Sequence, residues 1–331
     1  MSIAQVLRTI TRTEAGDGLL DERAAAALFG GLLDGGVGEF ELGAVLGALA
    51  MRPLGASELA GFCHASASRT ARLDFVPAGR SRGIAPVSIP SYSGTVEHPN
   101  LMPALALLLV GFGVPVLVHG PLEAQGRVAG AAVLRELGVL PCASAHEAQH
   151  ALADAGIAFV PTALLSPALA QVIALRGRLG IANCAQLVAR LLDPFGGTCV
   201  RLVPACSNAE REALAAALED TAANALLFLG AEGEAFADPQ RRPAIEHFRA
   251  GERRLLFDAE TTAAAPSAPG HVEADARAAA RWIGQALSGK APLPPPLSNL
   301  LACCLCAAGY SDDFNQCKAI VAVRTHTLAA A

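Results

Sequence analysis

Apolar positions in the first 75 residues recur at helical spacing. Leu28, Leu32, Leu42, Leu46 and Leu49 fall on such periods, the pattern of helices that bury one face. Residues 3–10 predict a first short helix. Asp21 is placed to cap ERAAAALFGGLLDG, which stops at Gly35-Gly36. EFELGAVLGALAMR follows and ends at Pro53, and Ser57 is placed to cap ELAGFCHASAS. Four short helices with short links predict a small bundle. Part of its leucine face is available to bury against a partner subunit.

From Pro86 the rhythm changes. Short apolar runs at 86–89, 114–118, 158–160, 200–203 and 225–229 alternate with helical stretches at 101–110, 130–137, 145–155, 167–176, 185–192 and 210–222. This alternation predicts a largely parallel sheet with helices on its faces. The expected fold class is α/β: a small N-terminal helical domain over 1–75, which is the expected dimer interface, and an α/β domain over 76–331. Helices around 166–193 are expected to pack back on the bundle. The Ala/Pro segment at 263–270 predicts a loop, with helices after it. The apolar run at 101–118 is broken by Pro103, Gly111, Gly113 and Pro115. It predicts a buried helix and strand rather than a membrane span.

Hydrophobic residues make up 53% of the chain and charged residues 17%, enough to build a large core and to exclude wholesale disorder. A net charge of −5 excludes a global cationic field for nucleic acid. Lysine occurs only at Lys290 and Lys318, so local cationic contacts fall to arginine. Nine cysteines, an odd number with no apolar leader ahead of them, predict reduced thiols in the cytoplasm. Cys303, Cys304 and Cys306, with Cys317 beyond, sit in apolar helical sequence and read as core rather than as a zinc site. No metal or cofactor is assigned. Neither a Ser-His-Asp order nor an H-E-x-x-H zinc motif is expected.

The stretch VSIPSYSGTVEHPN at 87–100 runs from a strand through a Ser/Gly/Thr loop into an apolar helix, the layout of many phosphate-binding turns. It holds one glycine and no lysine. Other parts of the chain share the same bearing: VHG at 118–120, AAVLRELGV at 131–139 and ALRGRLGIAN at 174–183. With the bundle sequence LLDGGVGEFELGAVLGALAMRPLGASELAGF, this order resembles the anthranilate phosphoribosyltransferase fold of glycosyltransferase family 3, shared with pyrimidine nucleoside phosphorylases. The loop SIPSYSGT, the run VHGPLEAQGRV and LFLGAEGEAFADPQRRP resemble most the YbiB family, regarded as a nucleic-acid-binding branch.

The departures from the enzyme pattern cluster at the chemistry. Where the enzymes have a GTGGD-type loop, this chain has Ser91-Tyr92-Ser93-Gly94-Thr95. Glycines there let backbone N–H groups approach a pyrophosphate. An Asn-x-Ser-Thr helix start becomes Asn100-Leu101-Met102-Pro103, without the hydroxyls that serve phosphate and magnesium. A Lys-His-Gly-Asn-Arg run is reduced to His119-Gly120. The acidic pair that holds magnesium becomes Glu232-Gly233-Glu234. These changes together point away from transfer of a phosphoribosyl group.

Arg176 matches the arginine that meets the acidic substrate in the enzymes. The resemblance implies that Arg80, Arg82, Arg127, Arg176, Arg178, Arg190 and Arg201 line a basic interdomain cleft on a homodimer. It implies DNA or RNA bound through phosphates, blind to sequence and sensitive to salt. His119 reads equally as a ligand contact or as a hydrogen-bonded structural residue. Tyr92 reads as a packed loop residue or as a base-stacking platform. Two other classes stay open: a pentosyl transferase for an aromatic or nucleobase substrate, and a scaffold for a small anion or a protein.

Overall fold

The structure, a computed structural model, describes residues 2–12, 19–77, 79–81, 83–219, 221–239, 241–260 and 275–325. The Ala/Pro segment at 263–270 lies outside the described residues. The bundle comprises helices Ile3–Ile10, Glu22–Leu33, Glu39–Ala50 and Ala56–Ala67. Asp21 caps the second by accepting from Ala24 N at 2.7 Å. The fourth begins differently from the sequence expectation, because Ser57 lies inside the helix and Gly55 is its N-cap. Glu58 closes that end by accepting from Gly55 N at 3.0 Å. The same carboxylate, fully buried, accepts from Leu20 N at 3.1 Å and from both terminal nitrogens of Arg52 at 2.8 and 2.6 Å. A single buried anion therefore ties the start of the second helix to the fourth helix and to the link before it.

The sheet has seven strands: β1 Val87–Pro90, β2 Val116–Gly120, β3 Ile157–Pro161, β4 Val200–Ala205, β5 Ala225–Leu229, β6 Ile245–Arg249 and β7 Glu252–Phe257. Their order is β3-β2-β1-β4-β5-β6-β7, with β1 to β5 parallel and the last two antiparallel. The five parallel strands are those the apolar runs predict. The β6–β7 hairpin is not, because IEHFR and ERRLLF carry several charges and resemble surface sequence. Its turn is Ala250-Gly251, both at positive φ (53° and 81°), as a two-residue hairpin turn requires.

Alternate side chains enter two cores. Leu117 and Val160 face the bundle and the helices Pro167–Ala174, Cys184–Arg190 and Asn208–Glu219. Val116, Val118 and Phe159 face Met102–Gly111, Gly130–Glu136, Ala276–Leu287 and Pro295–Ala307. Cys303 and Cys304 are buried in the second core, where burial pushes their thiols up. Among the described residues no helix is long and apolar enough to cross a membrane. Chain order reverses between β1 and β4, so a cleft opens beyond their carboxyl ends, where open α/β sheets bind ligands.

Glu58→Ala is expected to lower bundle stability by about 3 kcal/mol, since it strands a guanidinium and two N–H donors. Ser57→Ala is expected to change stability by less than about 0.5 kcal/mol. Denaturant unfolding of the two variants checks both.

Candidate functional site

The loop at 91–95 leaves β1 at the switch point, facing the 230–236 segment that follows β5. Gly94 sits at φ 64°, and a Cβ there would fall 2.7 Å from that of Ala124. The loop's backbone donors converge as a phosphate cradle would, yet they are occupied from within. Glu234, fully buried, accepts from Ser93 N and Gly94 N, both at 2.7 Å, and from Ser91 Oγ at 2.7 Å. Two residues earlier, Glu232 accepts from Val96 N at 2.9 Å, Glu97 N at 3.0 Å and His98 N at 3.1 Å. Thr95 N and Val128 N exchange bonds with each other's carbonyls at 3.1 and 2.8 Å.

Burial pushes the Glu234 carboxyl up, against the pull of Ser91, Gly94, Ser93 and nearby Arg190. For Glu232, partial burial also acts upward, but the three backbone N–H groups and His98 outweigh it and hold the group below the usual carboxylate range. A diphosphate with its magnesium does not fit these residues. The N–H groups it would use are bound to carboxylates, and the helix start offers Met102 and Pro103 where oxygen ligands are needed. The sequence shows Glu232 and Glu234 as a broken acidic pair. The fold turns both toward the loop as its internal anions.

The remaining motif residues serve the same loop. His119 is buried, and burial pushes its imidazole down to about 3; its Nδ1 shares a hydrogen bond with the Tyr92 hydroxyl at 2.9 Å. Tyr92 is correspondingly packed, not presented for stacking on a base. Gly120 is required by packing: a Cβ there would lie 2.0 Å from Ser91 O. Asn100 is fully buried, donates to Val128 O at 3.2 Å and accepts from Met102 N at 3.3 Å.

Among the described residues the arginines take different parts. Arg127 donates to Ser93 O at 2.9 Å, Gly94 O at 3.0 Å and Glu232 at 2.6 Å, so it clamps the loop. Arg190 is only 6% exposed and is paired with Glu210, with Cys206 Sγ 3.1 Å away. It supports the site from beneath and offers no surface to a polymer. Arg201 pairs in register with Ser88 and donates to Leu191 O at 2.8 Å. It stands four residues before Ala205, about 13 Å back from the cleft at the usual strand rise. Arg178 is exposed and loosely paired with Glu39 at 3.3 Å. Arg82 lies outside the described residues, as does the Arg80 side chain.

Arg176 is different. It lines a cavity of about 290 Å³ with Tyr92, Pro121, Pro161, Ile173 and Gln186. Among the described residues its side chain makes no hydrogen bond or ion pair, while its carbonyl accepts from Gly180 N at 2.9 Å. Burial, then Arg127 and Arg190, lower its pKa, opposed by Cys206. Gln186 is 5% exposed and its Oε1 has no partner among the described residues. The cavity thus has largely apolar walls, with Arg176 and Glu123 as its charged side chains.

Contrary to the expectation of no such motif, His146-Glu147-Ala148-Gln149-His150 has the H-E-x-x-H spacing. The structure places it on the helix Ala145–Asp154, away from the cleft lining.

No protein-family model matches the chain. Solved structures share its fold. Anthranilate phosphoribosyltransferase from Thermus thermophilus superposes with a TM-score of 0.71 at 22% identity, over 99% of this chain and 94% of the other. The Saccharomyces cerevisiae enzyme in complex with PRPP and Mg gives 0.71 at 16% identity, over 98% and 94%. Anthranilate phosphoribosyltransferase of Rhodopirellula baltica is 30% identical over 258 residues, 76% of this chain and 67% of the relative. The chain therefore has the anthranilate phosphoribosyltransferase-like fold. The uncharacterized protein YbiB of Escherichia coli (strain K12) is 34% identical over 317 residues, 96% of this chain and 97% of the relative. The chain belongs to the YbiB family.

Glu234→Ala is expected to cost about 3 kcal/mol by stranding buried donors. Millimolar inorganic pyrophosphate should return part of that loss, and should stabilise the wild type by less. The stability that Glu232 contributes is complete above its unfolded pKa and is lost as pH falls through its lower folded value. Glu232→Gln should therefore flatten the acid limb of the midpoint-versus-pH curve.

Proposed function

We propose that this chain is a non-catalytic, sequence-independent nucleic-acid-binding protein on a transferase scaffold. One exchange at the switch point carries the reading. The chain's own carboxylates fill the donors that a diphosphate would need, while the Arg176 guanidinium forms no ion pair among the described residues, Glu123 being the carboxylate that lines the same cavity. A phosphate or other anion entering the cleft relieves that charge.

The net charge of −5 makes the attraction local, so binding depends on a few cations and weakens steeply with salt. Arg178 is 69% exposed, and its solvent-facing pair with Glu39 is of the kind that yields readily to a phosphate. Binding by a homodimer fits the bundle surface. Phe40 and Met51, each 86% exposed, lie along the helix Glu39–Ala50 and at its C-cap, and a second copy would cover them. Two linked sites then engage one polymer with a gain in avidity. All nine cysteines are unpaired, which supports the cytoplasm as the compartment.

A second reading rests on the cavity itself. Its largely apolar walls and Arg176 would suit one small aromatic acid, the class named by its anthranilate phosphoribosyltransferase relatives.

Fluorescence anisotropy of a labelled random-sequence oligonucleotide separates the two. Affinity is expected to fall by a factor of about ten or more between about 50 and 200 mM salt. Arg176→Ala should weaken it at least about fivefold, in the range of a lost charged contact. No binding at low salt would overturn the nucleic-acid reading. Saturable binding of a benzoate-class acid that survives high salt would then favour the second.

A further inference from the structure

We propose that His146 and His150 form a bidentate surface site for a divalent transition-metal ion, independent of the cleft. The helix Ala145–Asp154 places them one turn apart on one exposed face. Their rings are tilted at 58° with centroids 4.4 Å apart, and the two Nε2 atoms converge to 3.2 Å.

That separation is the bite of a metal chelate. Two metal–nitrogen bonds of about 2.0–2.1 Å spanning such a gap enclose an angle of roughly 100°. This lies between the square-planar value of about 90° and the tetrahedral value of about 109°. In the metal-free protein one ring donates its proton to the other. A metal ion replaces that shared proton and needs no movement of the helix. Imidazole pairs suit Zn(II), Ni(II) and Cu(II), while oxygen-seeking Mg(II) and Ca(II) gain little from them.

The motif looks like that of zinc hydrolases, in which the glutamate serves as general base and a third ligand completes the metal. Neither condition holds here. Glu147 Oε2 accepts from Ala143 N at 2.7 Å, and Ser144 Oγ accepts from Glu147 N at 3.1 Å. The carboxylate is thus turned back to the residue before the N-cap Ser144. Among the described residues no group of three or more His, Cys, Asp or Glu side chains could hold a metal ion. The site is a chelate with open positions for solvent or another ligand, and it carries no hydrolytic step.

Isothermal titration of the full chain with Ni(II) alone tests this. One ion per chain is expected to bind. His146→Ala and His150→Ala should each weaken binding at least about tenfold, because one imidazole cannot chelate. Glu147→Gln, which removes only that carboxylate, should leave the affinity within about twofold. Unchanged affinity in both histidine variants, or no binding by the wild type, overturns the proposal. Nickel-induced stabilisation in thermal unfolding, present in the wild type and absent in either histidine variant, supplies a second readout.

Discussion

A buried carboxylate accepting three hydrogen bonds organises the cleft of this protein. Glu234 lies wholly out of water, where an unpaired charge would be untenable. It is held by Ser93 N, Gly94 N and Ser91 Oγ, with the charge of Arg190 nearby. In return it fixes the turn after β1, so the loop keeps the form of an anion cradle with no outside anion needed. Glu232 repeats the device at the next three N–H groups and draws in Arg127. The carboxylates neutralise donors and cations together, and the loop becomes part of the scaffold.

That internal balance decides which charges remain available. Arg127 and Arg190 commit their guanidinium groups to the loop, to Glu232 and to Glu210. Arg201 is held behind the cleft by the position of its residue along β4. Arg176 stays at the cavity wall, its charge made less comfortable by burial and by its cationic neighbours. A chain with net negative charge can therefore offer a localised anion-seeking point without a broad cationic surface. The same arrangement appears in the bundle, where Glu58 satisfies two backbone donors and Arg52. Buried acids with several donors recur as the fastening between segments distant in sequence.

The five parallel strands and most helices were legible in the sequence. Apolar runs bounded by Gly and Pro, alternating with 3.6-residue periods, admit few other folds. The antiparallel hairpin was not legible, because β7 is an edge strand and its exposed residues include Glu252, Arg253 and Arg254. The cap of the fourth bundle helix was misplaced by two residues, since Ser57 is a common capping residue whereas the working cap is Gly55 with Glu58. The His146 and His150 spacing stands openly in the sequence. Only the structure shows that the intervening glutamate points back to the helix start.

The sequence by itself determined the α/β layering, the loss of diphosphate-binding residue types and the candidate set of arginines. These follow from local periodicity and from which side chains are present. Tertiary structure decided which arginine is free and what fills the cradle. Glu234 lies 140 residues or more from the donors it meets, and only the pairing of β1 with β4 and β4 with β5 brings those segments together. Ion pairing and burial depend on that juxtaposition, so a list of charged residues could not distinguish the arginines that brace the loop from the one that faces the cavity.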